Sequence, residues 1–274
     1  MSKRNEPPVY PDLEGKTAIV TGSSKNMGRA MAIALGECGM NVGVTARSDR
    51  KGCEETAAAI EEAGGAATIV LGDLGDPDAI HSIFDHVRDE FGPVDVLVNN
   101  AAIRPSNAFE DIDLEEYQHV LDVNLRSVFV ASQEAANDMR ERGGGSIVNV
   151  LGLMALQGRR GKAHTSVTKT GIIGLTKTLA SELGPDGIRV NSVVPGRKIA
   201  DTQNLDEKTD VELEDLRKIE EATPLRRRGR SEEVANVVRF VASEQASFVT
   251  AEVWKADGGL NTCIDLENID AGGP

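Results

Sequence analysis

The sequence predicts an α/β chain folded as one doubly wound domain, a seven-stranded parallel sheet with helices on both faces. Three observations carry this prediction. Short, mostly β-branched apolar runs alternate with longer amphipathic ones, the pattern of strands joined by crossover helices. Glycines follow several helical stretches (Gly39, Gly64, Gly92, Gly143 and Gly184), where left-handed caps are expected. No internal repeat and no Pro/Gly/Ser-rich linker divides the 274 residues, so one domain accounts for the chain, with a core from about 13 to 260.

Taken in order, the first strand is read at Lys16–Thr21 and leads through a glycine turn into a helix over Met27–Cys38. Asn41–Ala46 and Ala67–Leu71 supply the next two strands, with a helix over Cys53–Ala63 between them. A helix over Pro77–Phe91 precedes the fourth strand, Val94–Asn99, and a long helix over Leu114–Met139 precedes the fifth, Ser146–Val150. The helix His164–Leu183 joins it to the sixth strand, Arg189–Val194; the helix Ser231–Ala242 leads to the seventh, Glu252–Ala256. The highly charged segment 197–223 breaks this rhythm after a strand end, and with a helical piece near Asp210–Ala222 it reads as a lid.

Composition narrows the partners. Thirty basic against 44 acidic residues give a net charge of −14, which argues against nucleic acid and anionic membranes. Aromatic residues are only 3%, so the core must be built from Ala, Val, Ile and Leu. Three cysteines at unrelated spacings and four histidines without an HExxH pattern give no metal site and no disulfide framework. With no signal-like or membrane-spanning run, a cytoplasmic protein is expected. The acid-rich, lysine-poor balance (11 Lys, 19 Arg) also raises the hypothesis of a salt-rich cytoplasm.

Chemistry enters at Thr21-Gly22-Ser23-Ser24-Lys25-Asn26-Met27-Gly28, a tight turn between strand and helix. Such a turn lets backbone N–H groups and a helix N-terminus approach a pyrophosphate. Asn26 replaces a glycine there, and asparagine is among the few residues that tolerate positive φ. Asp73-Leu74 ends the third strand, Asn99-Asn100-Ala101-Ala102 the fourth, Pro195-Gly196 the sixth and Asp257-Gly258-Gly259 the last, while Asn124 lies on the long helix. In this order the motifs resemble the short-chain dehydrogenase/reductase family, over roughly 13–260. The resemblance implies a Rossmann-type fold with a dinucleotide held by Gly22, Ser24, Lys25, Asn26, Met27, Gly28, Arg47, Ser48, Asp73, Leu74, Asn100, Ala101, Lys169, Pro195 and Gly196. No acid ends the second strand before Asp49, and Arg47 with Lys25 can grip a 2′-phosphate, so NADP(H) is expected over NAD(H). The alternative is two solvated surface cations.

The catalytic set implied by the resemblance is Asn–Ser–Tyr–Lys. Asn124 and Lys169 occupy their places, but Thr165 stands where tyrosine belongs and Gly152 where serine belongs. A threonine hydroxyl is a far weaker acid than a phenol, so Thr165 can orient a substrate or water but not protonate an alkoxide. Asn124 is expected to anchor a water behind Lys169. His164 is a candidate proton donor, with a helix cap or subunit contact as the other reading; Tyr117 reads as packing. Arg159-Arg160 and Arg226-Arg227-Arg228 read as salt-bridge clusters, although Arg104 or Arg159 would anchor a substrate acid. The reading is an NADP(H)-dependent oxidoreductase of a carbonyl, alcohol or imine with a non-standard site. Its rivals are a cofactor-binding protein without turnover and a non-redox lyase. The expected partners are a small-molecule substrate and further copies of the chain in a homotetramer or homodimer, pairing the two long helices through Ala131, Ala135, Gly171, Gly174 and Ala180.

Overall fold

The computed structural model describes residues 10–197, 199 and 208–263. Seven strands, β1 Thr17–Val20, β2 Asn41–Ala46, β3 Ala66–Leu71, β4 Val96–Asn99, β5 Gly145–Val150, β6 Ile188–Pro195 and β7 Val253–Ala256, form one sheet. Every pairing is parallel, in the order β3-β2-β1-β4-β5-β6-β7. Helices α1 Asn26–Gly36, α2 Arg50–Glu62 and α8 Ser231–Ala242 cover one face. Their Met31, Leu35, Ile60, Val234 and Val238 pack on Val20, Val42, Val44 and Val148. On the other face α3 Pro77–Phe91, α5 Ser127–Arg142 and α6 Ala163–Leu183 bring Ile83, Phe84, Met139 and Leu183 onto Ile19, Leu97 and Ile147. The inner strands β1, β2, β4, β5 and β6 bury side chains both ways, whereas the edge strands β3 and β7 are only partly covered.

Three expectations change. The long helix is interrupted: α4 Leu114–Leu121 passes into a π-helical turn over Asp122–Arg126 before α5 begins. One wide turn shifts the register of the side chains that follow it by about a residue. Gly184 is helical, at ψ −43, because α6 runs on into a 3-10 turn over Gly184–Asp186; the left-handed position passes to Gly187, at φ +74. Finally, Ala131, Ala135 and Ala180 are buried in the chain's own core, where they let α5 and α6 lie close to the sheet. The outward face of these helices carries Gly171, Gly174, Phe129 and Val167 instead.

The helical piece of the charged segment 197–223 is α7, Asp210–Ala222, opened by a capping box in which Thr209 and Glu212 hydrogen-bond reciprocally. Residues 198 and 200–207 of that segment lie outside the described residues. In the arginine cluster, Arg227 pairs with Glu233 at 2.6 Å and Arg228 with Glu220 at 2.9 Å, both within the chain rather than between subunits.

Candidate active site

Strand order reverses direction at β1, between β2 and β4, and a crevice opens beyond the carboxyl ends of these strands. It is a groove of about 420 Å³, walled by the turn 22–28, the end of β2, the residues after β3 and the residues after β4. Gly22 sits at φ +65, where a Cβ would press on Ala101 at 3.0 Å; a Cβ at Gly28 would overlap the Gly22 carbonyl oxygen. Asn26 adopts φ +54, so asparagine does carry the left-handed turn. The N-terminus of α1 has no side-chain cap, leaving its first N–H groups directed into the groove beside Met27.

The turn is locked from behind. Thr21 Oγ1 accepts from the backbone N–H groups of Asn100 (2.9 Å) and Ala101 (3.1 Å), and Asn100 Nδ2 donates to the carbonyls of Thr21 and Gly22. Asn100 therefore braces the glycine turn from behind. Ser24 is buried, and its carbonyl accepts from Arg29 Nη2 at 2.7 Å. Lys25, Arg47 and Ser48 are exposed on the wall. Asp49 is there too, but its carboxylate accepts from Gly52 N, capping α2, and this bond with one to Ser24 holds it below the usual carboxylate range. Asp73 and Leu74 complete the far wall, Asp73 Oδ1 accepting from Gly75 N at 2.9 Å. Pro195 ends β6 and Gly196 N donates to Ala256 O, on the same edge of the sheet but not among the wall residues.

The presumed chemical groups gather on α6 and the π turn. Lys169 is buried, and its Nζ donates to Val150 O at 2.9 Å. Desolvation, and then the Arg104 guanidinium, push its pKa down from 10.5 to about 7. Thr165, one turn earlier, is fully buried with no hydrogen-bond partner for its hydroxyl. Asn124 differs from expectation. Its Oδ1 accepts from Ile103 N and its Nδ2 donates to Ile103 O, both at 2.8 Å, so the side chain pins the loop after β4 instead of holding a water. The proton-donor role of His164 meets the same objection. Nδ1 accepts from Thr165 N at 2.9 Å and Nε2 faces Glu116 Oε1 at 2.7 Å. Both nitrogens are engaged, the imidazole lying in the first turn of α6, whose N-cap residue is Lys162.

Sequence reasoning missed several members of this assembly. Glu116 joins α4 to α6 through His164 and accepts from Asn107 Nδ2 at 2.6 Å. Lys162 donates to the carbonyls of Arg104 and Pro105, both at 2.8 Å, stapling the loop after β4 to the start of α6. Beneath them runs a buried polar ladder: Asn99 Nδ2 donates to Asn149 Oδ1 (2.9 Å), Asn149 Nδ2 to Thr176 Oγ1 (2.9 Å), and Thr176 meets Ser192 at 2.8 Å. An asparagine inside the aliphatic run Ser146–Val150 was its signal, since a buried amide demands partners.

A family profile described as enoyl-(acyl carrier protein) reductase matches residues 22–261. Among curated relatives, 3beta-hydroxysteroid dehydrogenase 1 of Eggerthella lenta is 39% identical over 253 residues, 92% of this chain and 96% of its own. The 3-oxoacyl-[acyl-carrier-protein] reductase FabG of Staphylococcus epidermidis is 35% identical, over 89% of this chain and 98% of its own. A solved short-chain type dehydrogenase/reductase from Mycobacterium marinum superposes with a TM-score of 0.81 at 34% identity, covering 92% of this chain and 97% of that one. Matches of this extent, on a groove with this turn and this lysine, mean that the chain belongs to the short-chain dehydrogenase/reductase family of oxidoreductases.

Proposed function

We propose that the protein is an NADP(H)-dependent oxidoreductase interconverting an alcohol and a carbonyl, or an amine and an imine, without the tyrosine and serine usual in its family. The observation that carries this reading is Lys169, a buried ammonium titrating near 7 beside a groove whose glycines leave room for a dinucleotide backbone. When bound, a nicotinamide dinucleotide supplies or accepts the hydride. The turn 22–28 and the open end of α1 would hold its pyrophosphate. Lys25 and Arg47 have no ion pair among the described residues and would fork onto the 2′-phosphate, while the nearest acid, Asp49, is occupied as a cap. Lys169 would hold the ribose and exchange the proton at the substrate oxygen, because a group with a pKa near neutrality both gives and regains a proton there. Asn124 acts as a positioning residue through Ile103.

Fluorescence titration of NADPH and NADH tests the reading. Arg47→Asp should weaken NADPH at least about tenfold more than NADH, as expected for a lost charge-assisted contact; equal losses, or native preference for NADH, refute the cofactor assignment. Consumption of reduced cofactor over a panel of ketones, imines and keto acids tests the reaction. Binding without turnover on any of them would favour a nucleotide-binding protein that performs no redox step, the reading to which the sealed hydroxyl of Thr165 lends weight.

A further inference from the structure

The loop after β4 and the loop before α6 close over the edge of the sheet, and the cations they bring together form no ion pair among the described residues. Arg104 lies in the wall of the groove. It is open to solvent, yet enclosed enough that desolvation lowers its pKa. Its charge bears on both Lys169 and Lys162, and that of Arg159 on Lys162. Arg159 shares a neighbouring recess with Arg197. Both lysines donate to main-chain carbonyls: Lys169 to Val150, and Lys162 to Arg104 and Pro105. None of these five cations forms an ion pair among the described residues, in a chain that carries 14 more acids than bases. Elsewhere the chain meets arginines with carboxylates, as at Arg88, Arg227 and Arg239. Glu116, an acid facing this region, is committed to His164 and Asn107. Like charges held close cost free energy unless a counter-charge arrives.

We infer that the mouth of the active site binds an oxyanionic group of the substrate, a carboxylate or a phosphate, with Arg104 as its principal anchor and Arg159 and Arg197 at its rim. This rests on the oxidoreductase reading and narrows its substrates to anionic alcohols or carbonyl compounds. Arg104 is suited to the task because its planar fork presents paired donors to two oxygens. Lys162 is a positioning residue, since it holds the backbone from which Arg104 projects.

Binding of malonate, glycerol 3-phosphate and the neutral control malonamide is measured on the NADPH-loaded protein by cofactor fluorescence, with sodium chloride matching ionic strength. At least one anion should bind while malonamide does not. Arg104→Ala should weaken that anion tenfold or more, and at least about fivefold more than it weakens NADPH; Arg104→Lys should recover part of the loss. Preference for malonate points to carboxylic acids, preference for glycerol 3-phosphate to phosphorylated compounds. Anions that bind no better than malonamide overturn the inference. So does an Arg104→Ala variant that loses NADPH as strongly as the anion, because the cluster would then serve the cofactor. If NADPH fails to bind at all, the oxidoreductase reading falls. The anchor is then judged by whether malonate or glycerol 3-phosphate raises the Tm of the cofactor-free protein in wild type and not in Arg104→Ala.

Discussion

Replacing Lys169 by methionine separates what this lysine costs the fold from what it does for the chemistry. Burial and the neighbouring guanidinium hold it at about 7 instead of 10.5. At 1.36 kcal/mol per pH unit, keeping it charged in the folded chain costs roughly 5 kcal/mol below pH 7. The folded pKa is lower than the unfolded one, so between pH 7 and 10.5 the unfolded chain binds the extra proton and stability rises with pH. The penalty is nearly complete at pH 6 and less than half remains at pH 9, a gain of roughly 3 kcal/mol from this group alone. Methionine fills a similar volume and does not titrate, but it deprives Val150 O of a donor, a loss of about 1 kcal/mol. Lys169→Met should therefore be a few kcal/mol more stable than wild type at pH 6, with the gap closing toward pH 9. Urea denaturation of both proteins at pH 6, 7.5 and 9 measures this, and carboxylates that titrate alike in the two cancel in the difference. Stability curves that run parallel across that range would refute the buried, depressed lysine. Turnover of the variant should be lost at every pH, since no other group in the site replaces its proton.

Two further outcomes are expected. Asn149→Ala cuts the ladder between Asn99 and Thr176; with buried polar atoms left on both sides, the variant should lose roughly 2–4 kcal/mol in denaturant unfolding, and a loss under about 0.5 kcal/mol would show the ladder to be dispensable. The α5–α6 face exposes Phe129 and Val167, each at 47%, beside a shallow apolar recess lined by Leu121, Leu125 and Leu175; a homotetramer or homodimer is proposed to cover it, so Phe129→Asp should reduce the mass seen by light scattering, and a wild-type monomer at micromolar concentration would contradict the assembly.

The sheet was legible because each strand is an aliphatic run bounded by turn residues, and α3 and α8 keep the bounds read from their periodicity, Pro77–Phe91 and Ser231–Ala242. Local patterns of this kind survive folding because the buried face is dictated by spacing alone. The π turn was not legible. Nothing in Asp122-Val-Asn-Leu-Arg126 departs from an α-helical composition, and the wide turn exists because Asn124 meets a main chain 21 positions away. The same limit hid the fate of His164. Its partner Glu116 lies 48 residues off on another helix. Tertiary partners of polar side chains are set by topology, and a sequence read one segment at a time holds no signal for them. The unanswered charges at the groove mouth were half visible: Arg104 and Arg159 could be placed on the right loops, whereas Lys162 and the enclosure that desolvates Arg104 could not.

Of the two departures from the family pattern, the one at Gly152 is not forced by the fold. Gly152 has φ −165, extended backbone open to any residue, and a Cβ there would meet only Met154 Cε at an ordinary 3.6 Å. A serine would fit, so packing does not explain its absence. Thr165 is equally uncommitted, its buried hydroxyl bonding nothing and so contributing none of the stability that a satisfied one would. What the chain keeps are the parts proposed to hold a dinucleotide: the left-handed turn at Asn26, the brace from Asn100, and Lys169. In the arrangement implied by family resemblance a lysine lowers the pKa of a phenol until it can serve at neutral pH. Here the lysine is itself at about 7, so a phenol between it and the substrate is no longer needed for proton exchange in that range. Its depressed pKa comes first from burial and then from Arg104, the residue proposed to hold the substrate's anionic group. An anion seated on Arg104 would offset that charge and raise the pKa of Lys169, making the lysine more fully protonated when substrate is present. On this reading the missing tyrosine and the unpaired arginine are linked: the group that recognises the substrate also loads the proton donor.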